Sequence, residues 1–391
     1  MSPPLYDCLI IGAGPAGSTM ARQLVMHGKH VLLLDSKHFP RWKPCGGAIR
    51  QELPDVLGFS LSHVVDSEVN GAWFSYEGEK SFASFPENFS FPLVNRERFD
   101  ALLLKKAIEA GAEFLPGRKI TAVQEGRTEV LAAEFQGRQY RCRFLAGADG
   151  ANSVVRKADG FGAVGRRGFT LSGMPDLPQI DPKTVYFSMG NVEGGYIWIF
   201  PKKGFCDAGI TGISWDGPRL RRRLLAFLEK FDQHHSLQEM TLRGFPIPYF
   251  YGLRNVHTSR ILLAGDAASF VDPLTGEGIQ YAIKSAILGA ETINASLEKG
   301  AGHLHDYHHR VNETIGRELA AALELALLYR KYPALCYNTC RKSNKLQEIF
   351  TRLFSGRISY VKSFEKLRTN VFIRSLFFMH WLRREVHSIF R

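Results

Sequence analysis

The chain has 391 residues, of which 45% are hydrophobic and 23% are charged. This composition excludes a disordered, collagen-like or coiled-coil protein, and the length suits two or three packed units. The formal net charge is +12, and residues 341–391 carry twelve Lys or Arg against three Glu. Six cysteines and an N-terminus that enters a strand without an export signal predict a reduced, cytoplasmic protein.

The opening of the chain has the pattern of a strand, a helix and a second strand. Residues 6–11 form an apolar run that ends in a glycine cluster, residues 15–27 have helical character, and residues 30–35 are apolar again. This βαβ pattern predicts a doubly wound parallel sheet. A helix over 98–110 and a buried strand over 144–148 continue the same pattern.

Between about residues 170 and 248 the pattern changes to aromatic, alternating strands. Strands are predicted over 185–189, 196–200 and 206–213, and one helix over 219–231 interrupts them. We expect this stretch to be an inserted antiparallel sheet that forms a second domain.

Residues 261–264 then return to an apolar strand, residues 278–297 form a helix, and the rest of the chain has helical character. The sequence therefore predicts three regions. They are residues 1–169 with 249–297 (with small β insertions around 60–95), residues 170–248, and a helical basic region over 298–391.

The first motif is a G-x-G-x-x-G between the first strand and the first helix. Gly12 permits the tight turn, Gly14 lets the backbone approach a pyrophosphate, and Gly17 lets the helix pack closely on the strand. The helix N-terminus offers free N–H groups to the phosphates. Asp35 ends the second strand, where a carboxylate accepts hydrogen bonds from ribose hydroxyls. The arrangement predicts dinucleotide binding.

Two further motifs favour FAD over a nicotinamide nucleotide. Residues 147–153 place Asp149 at a strand end, and residues 265–279 place Asp266 at another strand end before a helix that starts at Gly278. A carboxylate at Asp266 suits ribityl hydroxyls, and a helix N-terminus suits the electron-rich pyrimidine edge of a flavin.

These three motifs in this order resemble the FAD enzymes built like para-hydroxybenzoate hydroxylase. Within that group, the Pro-Cys-Gly-Gly loop at 44–47 and the Tyr-x-Trp-x-Phe-Pro segment at 196–201 are similar to the signatures of the geranylgeranyl reductase family. Residues 95–100 resemble that family's FAD-contacting arginine segment. Two departures are Glu193, where a proline is common, and the Gly209–Gly212 spacing, where Gly-x-Gly is usual.

The resemblance implies an α/β fold: a Rossmann-like FAD domain with an inserted antiparallel β-sheet substrate domain and a helical C-terminal region. It implies FAD as cofactor, reduction of isoprenoid double bonds, and electrons from NADPH or a reduced protein that docks transiently. The expected cofactor-binding residues, from the motifs and the resemblance together, are Gly12, Gly14, Ala16, Gly17, Asp35, Cys45, Gly46, Ala48, Arg96, Val123, Asp149, Asp266, Gly276, Gly278 and Ile279.

Reduction of an isolated alkene requires a proton donor, aromatic faces and exclusion of water, because hydride addition alone leaves an unstabilised carbanion. Tyr196, Trp198 and Phe200 alternate along one strand, so they share a face and are the candidate substrate-binding wall. Tyr196, Trp198 and Cys45 are the candidate catalytic residues. The alternatives are an aromatic core stripe and a loop cysteine that only packs.

The basic, aromatic C-terminal region is expected either to lie on a membrane surface or to be a solvated face of packed helices. No nucleic-acid-binding module and no metal-ligand pattern is recognised in the sequence. Two other functions stay open: an FAD monooxygenase or halogenase of the same fold, and a lipid-binding protein that keeps FAD as a structural element. Lys80 invites comparison with flavin halogenases, but its place after the Glu77–Gly78 turn favours an exposed hairpin lysine.

Overall fold

The computed structural model describes residues 4–367 except 88, 159, 163–166, 214–215, 233–236, 238–239 and 301. Its strands are β1 Leu5–Ile11, β2 Val31–Leu34, β3 Val65–Val69, β4 Gly71–Tyr76, β5 Lys80–Ser84, β6 Phe91–Val94, β7 Glu113–Leu115, β8 Ile120–Glu125, β9 Val130–Glu134, β10 Gln139–Gly147, β11 Arg167–Gly173, β12 Thr184–Met189, β13 Tyr196–Lys202, β14 Phe205–Gly212, β15 Arg243–Pro248 and β16 Ile261–Leu263.

The helices are α1 Pro15–Met26, α2 Leu53–Leu57, α3 Arg96–Glu109, α4 Gly217–Leu228, α5 Ile279–Glu298, α6 Asp306–Val311, α7 Arg317–Lys331, α8 Pro333–Arg341, α9 Asn344–Phe354 and α10 Tyr360–Leu367. Helix α3 begins two residues before the predicted start. The side chain of Asn95 accepts hydrogen bonds from the backbone N–H groups of Glu97 and Arg98, and this cap fixes the first turn.

The first sheet has the order β7-β2-β1-β10-β9-β8, and β16 pairs with β10. Strands β7, β2, β1, β10 and β16 are parallel, while β9 and β8 are antiparallel additions. Strands β1 and β2 are apolar and almost fully buried, as expected for parallel strands covered on both faces. Helix α1 packs against α3 and α5 over this core. The predicted α/β fold class is confirmed.

The register brings the three sequence motifs to one edge of this sheet. Ile11 is level with Leu34 and with Gly147, and Gly147 is level with Leu263. The turn at Gly12, the carboxylate of Asp35 and the segments after β10 and β16 therefore meet at the carboxyl ends of the parallel strands. This is the edge where open α/β sheets bind ligands.

The second sheet has the order β15-β11-β14-β13-β12-β4-β5 and differs from the prediction in two ways. Strands β4 and β5, from the region assigned to the first domain, extend it. The β4–β12 pair is parallel, whereas the prediction had only antiparallel pairs. This pairing has a physical benefit, because β4 covers an edge of β12 whose backbone groups would otherwise lack strand partners.

The described part of the C-terminal region, up to residue 367, is mainly helical from α6, and a π-helical stretch over Asn312–Gly316 joins α6 to α7. The apolar side of α9 packs on the second sheet, where Phe350 and Phe354 contact Phe74. The aromatic residues beyond 367, including Phe377 and Trp381, lie outside the described part of the chain. No helix within the described ranges is both long and apolar enough to cross a bilayer.

Candidate active site

A cavity of about 1110 Å³ is lined by residues of both large sheets. One side is the carboxyl edge of the first sheet, with Gly12, Asp35 and Asp266. The opposite side is strand β13 of the second sheet, with Trp198 and Phe200. The cavity is therefore polar and rich in free backbone amides at one end and aromatic at the other, which suits a polar cofactor beside an apolar substrate.

The glycine turn is shaped so that no side chain fits between β1 and α1. Gly12 has φ +100, and a Cβ there would lie 2.6 Å from the carbonyl carbon of Ala148. A Cβ on Gly17 would overlap the Gly12 carbonyl group. Helix α1 begins after Gly14 with Pro15, which has no N–H group, and no side chain caps it; Ala16, which carries the first N–H group of the helix, lines the cavity. These features fit a pyrophosphate bound at the helix N-terminus.

The carboxylate of Asp35 is held in place by the backbone on both sides. Its Oδ2 accepts a hydrogen bond from Ala13 N at 2.8 Å, and its Oδ1 accepts one from Lys37 N at 2.8 Å. Each carboxylate oxygen has a second lone pair, so the group can still accept hydrogen bonds from ribose hydroxyls. The position matches the one predicted for the acid after β2.

The second helix N-terminus at the cavity belongs to α5. This helix starts after Gly278 without a side-chain cap, and the Asp266 carboxylate lies beside it. Lys43 Nζ lies 3.7 Å from Asp266 Oδ2, and burial lowers the pKa of Lys43 while Asp266 opposes that shift. A carboxylate and free amides side by side fit the ribityl and pyrimidine parts of a flavin.

Asp149 lines the cavity between these two sites. Its Oδ2 accepts hydrogen bonds from Val154 N at 2.6 Å and Val155 N at 3.3 Å. Burial raises the pKa of Asp149, and these backbone hydrogen bonds oppose the rise. The residue therefore orders the turn after β10 as well as facing the cavity.

Arg96 lies at the start of α3 and is buried against Asp100. Two parallel hydrogen bonds of 2.9 Å join its guanidinium to the carboxylate, and Arg41 approaches the same carboxylate at 3.2 Å. Burial disfavours the charge of Arg96, but Asp100 and the Cys45 side chain raise its pKa above the ordinary value. Arg96 therefore stays charged where it meets the cavity.

The Cys45 loop lies flat on the aromatic wall. A Cβ on Gly46 would lie 2.5 Å from Cε2 of Phe200, so only glycine fits at this position. Gly47 N approaches Cys45 Sγ at 3.4 Å. Lys202, which immediately follows the signature segment, donates hydrogen bonds to the carbonyl oxygens of Gly46 at 2.7 Å and Val94 at 3.0 Å. The loop is thus fixed by a side chain of the second sheet.

Strand β13 presents its aromatic side chains to the cavity as the alternation predicts. Tyr196, Trp198 and Phe200 line the cavity, while Ile197 and Ile199 pack on the other face in the core beneath α4.

Two of these rings have their polar atoms engaged in hydrogen bonds. Tyr196 donates its hydroxyl hydrogen bond to the carbonyl of Thr275, and Trp198 Nε1 donates to Asp207 at 2.8 Å. Burial raises the pKa of Tyr196 well above its ordinary value. The wall therefore offers apolar faces while its polar atoms stay paired.

The cavity brings together every predicted site residue except Gly17 and Val123. Gly17 does not line the cavity, but its lack of a side chain lets α1 pack closely on Gly12. Val123 lies further along β8 and stays a prediction, while Ile120 and Thr121 at the start of that strand line the cavity.

Several cavity or adjoining residues were not predicted, namely Phe187, Lys202, Asp207 and Phe354. The sequence around Lys202 does not distinguish it from a surface lysine, and Phe354 lies more than 150 residues after the end of β13. Local sequence therefore did not place either residue at the site. Within the described residues, no group of three or more His, Cys, Asp or Glu side chains is arranged to hold a metal ion.

Comparison with known proteins places the chain among flavoproteins. Residues 90–321 match a family model described as an FAD binding domain, and residues 7–168 match one described as lycopene cyclase protein. A geranylgeranyl diphosphate reductase of Rhodobacter capsulatus is 31% identical over 75% of this chain and 76% of its own.

A menaquinone reductase of Mycobacterium tuberculosis is 29% identical over 90% of this chain and 91% of its own. Among solved structures, a geranylgeranyl bacteriochlorophyll reductase-like protein of Thermoplasma acidophilum superposes with a TM-score of 0.77 at 23% identity. That match covers 84% of this chain and 88% of the other, and it shows that the fold is shared.

Proposed function

Because this chain belongs to the geranylgeranyl reductase family of FAD-dependent oxidoreductases, we propose that it saturates isolated carbon–carbon double bonds of a polyprenyl substrate. The observation that carries this proposal is the aromatic end of the cavity. It adjoins the polar end that fits FAD, so a prenyl chain and a flavin can lie in contact within one cavity.

The polar end supplies the contacts that the cofactor requires. The backbone N–H groups of the first turn of α1, from Ala16 onward, would hold the pyrophosphate. Asp35 would hold the adenosine ribose, and Asp266 with the amides after Gly278 would hold the flavin side. Reduced FAD bound in this way supplies a hydride. The chain's own residues must then orient the alkene, exclude water and provide a proton.

The aromatic wall performs the first two tasks. Phe187 contacts Tyr196 at 5.6 Å and Phe200 at 5.5 Å between ring centroids, and Phe354 of α9 contacts Phe187 at 5.0 Å. Ring faces stabilise the positive charge that develops when a trisubstituted alkene is protonated. Packing of α9 against this wall shields that charge from water.

Cys45 is the best-placed proton donor. Its side chain lines the cavity in the loop that lies on Phe200. The Tyr196 hydroxyl is a poorer candidate because its proton is engaged with Thr275 and its pKa is raised by burial. We therefore assign the proton transfer to Cys45, and orientation of the alkene to Tyr196 and Trp198.

The electron donor and the location follow as further parts of the proposal. The sequence has a single dinucleotide fingerprint, so NADPH or a reduced protein would reach the flavin only transiently.

The described part of the C-terminal region has its apolar side on the chamber, while Arg341, Lys342 and Lys345 are exposed. Such a basic face suits an anionic membrane surface, from which a prenyl lipid would enter.

The monooxygenase or halogenase alternative receives no support from Lys80. That lysine is exposed at the start of β5 and does not line the cavity. The two functions differ in their co-substrates, because a monooxygenase or halogenase requires O₂ and a reductase does not.

The decisive experiment is anaerobic. The flavoprotein is reduced with dithionite and mixed with geranylgeranyl diphosphate, a menaquinone or a geranylgeranylated lipid, and flavin reoxidation is followed together with product mass. We expect reoxidation with a gain of two hydrogens per bond reduced. A fully saturated prenyl analogue is the matched control and should leave the flavin reduced. Reoxidation only by O₂, with a hydroxylated or halogenated product, would reject the proposal, and so would no response to any prenyl compound.

A further inference from the structure

A second, small cavity of about 20 Å³ lies behind the Cys45 loop. Its lining includes the polar or charged residues Cys45, Arg96, Lys202 and Asp207, together with the apolar residues Trp42, Val94, Met174 and Phe205. This volume is enough for about one water molecule, and a water at such a site requires two to four polar partners. The cavity meets both conditions.

Cys45 borders the small cavity on one side and the aromatic chamber on the other. The small cavity also touches Met174, which is 43% exposed, so it leads toward the protein surface. Cys45 can therefore be reached through the small cavity without passage through the aromatic chamber. This arrangement offers protons a route of their own beside the one that the substrate takes.

Lys202 is the charged group fixed beside this cavity. It is 8% exposed, and its Nζ donates to Gly46 O and Val94 O, which leaves one further ammonium hydrogen. Burial lowers the pKa of Lys202 to about 8, although Asp207 and Cys45 oppose the shift. An ammonium group with this acidity gives up and regains a proton near neutral pH.

We propose that the small cavity is a proton-entry site, in which a water molecule bridges Lys202 and Cys45 and restores the thiol proton after each reduction. This inference deepens the proposed function and rests on it for the identity of the substrate. In each turnover the π bond and the Cys45 S–H bond break. One alkene carbon takes the thiol proton, and the other would take the hydride that a bound, reduced cofactor would supply.

The thiolate then takes a proton from the bridging water, the water takes one from the Lys202 ammonium, and the amine is reprotonated from solvent. Lys202 touches neither substrate nor cofactor, so it is a positioning and relay residue. Four charged or titratable residues of the neighbouring segments face Lys202, namely Cys45, Asp66, Arg96 and Asp207. Two more, Lys43 and Glu97, border the same cavity.

The sign of the pH dependence follows from this arrangement. Below pH 8 Lys202 carries its proton, and above pH 8 it does not, so turnover should fall as the pH rises through about 8. Asp207 is buried, and burial raises its pKa. Its negative charge favours the Lys202 ammonium, so Asp207→Asn should move the alkaline limb to lower pH while keeping an acceptor for Trp198 Nε1.

The test compares Lys202→Met with Lys203→Met, an exposed lysine one residue away, and with Asp207→Asn. Flavin content and melting temperature establish that each variant is folded. We expect Lys202→Met to turn over about tenfold more slowly at pH 7 and to lose the alkaline limb near pH 8. Lys203→Met should match the wild type in both respects.

A second measurement needs no substrate. Alkylation of Cys45, located by peptide mass, should be about tenfold slower in Lys202→Met, because removal of a neighbouring positive charge disfavours the thiolate. Failure of the wild type to reduce any prenyl compound would reject the proposed function while leaving this measurement valid. A pH profile and an alkylation rate unchanged in folded Lys202→Met would overturn the proton-entry site. So would an Asp207→Asn profile identical to that of the wild type.

Discussion

Replacement of Gly46 by alanine tests whether the contact between the Cys45 loop and the aromatic wall positions the active site. The new Cβ would lie 2.5 Å from Cε2 of Phe200, whereas carbon atoms pack at about 3.5–4.0 Å. The ring or the loop must therefore move by about 1 Å. Phe200 is buried and contacts Phe187 and Phe91, so the loop is the part that yields.

The expected cost is that of an overpacked core, about 1–3 kcal/mol in the free energy of unfolding. At about 2–4 °C per kcal/mol, the melting temperature should fall by roughly 2–12 °C. Displacement of Cys45 by about 1 Å should slow the reduction by about 100-fold, because proton transfer depends steeply on position. The assays are thermal unfolding and single-turnover reoxidation of the reduced flavin by a prenyl substrate.

Two variants make this prediction refutable. Gly217→Ala is the matched control, since nothing lies within 4 Å of a Cβ at the start of α4, and it should leave stability and rate almost unchanged. Phe200→Leu combined with Gly46→Ala should recover part of the lost rate by making room for the methyl group. If Gly46→Ala behaves like Gly217→Ala, the loop is not held by this contact and the reasoning is wrong.

Three further changes test separate parts of the site. Asp266→Ala should give a colourless apoprotein, because the flavin loses a carboxylate partner and Lys43 loses its counter-ion. The visible absorbance of the purified protein measures its flavin content. Full flavin content would contradict the assignment of Asp266 to the flavin site. Tyr196→Phe should retain flavin and most of the single-turnover rate. Its free energy of unfolding should fall by about 1–3 kcal/mol, because the Thr275 carbonyl loses its hydrogen-bond donor. An abolished rate in the folded variant would show instead that Tyr196 donates the proton. Phe354→Ala should lengthen the chamber, so the variant should prefer the longer of two competing prenyl diphosphates more than the wild type does. An unchanged ratio of the two products would show that α9 does not form part of the chamber wall.

Features that depend on local spacing could be predicted from the amino-acid sequence alone. The turn at Gly12, the acid at Asp35 and the free N-terminus of α1 lie within one βαβ unit, so their arrangement follows from backbone geometry over a few residues. The alternation of Tyr196, Trp198 and Phe200 is likewise a property of any single strand. Both features were therefore predictable, and so was the family resemblance that they carry.

The distant segments that complete the site could be identified only from the folded chain. Lys202 is separated from Gly46 by 156 positions and becomes a buried donor only because β13 packs on the Cys45 loop. Phe354 enters the chamber through the docking of α9, and β4 joins the second sheet by covering the edge of β12. Local sequence does not predict such contacts, because the residues that flank one lysine or phenylalanine do not show whether its side chain lies on the surface or in the core. Burial depends on how the whole chain is assembled. It lowers the pKa of Lys202, and the same assembly places Phe354 in the wall of the chamber.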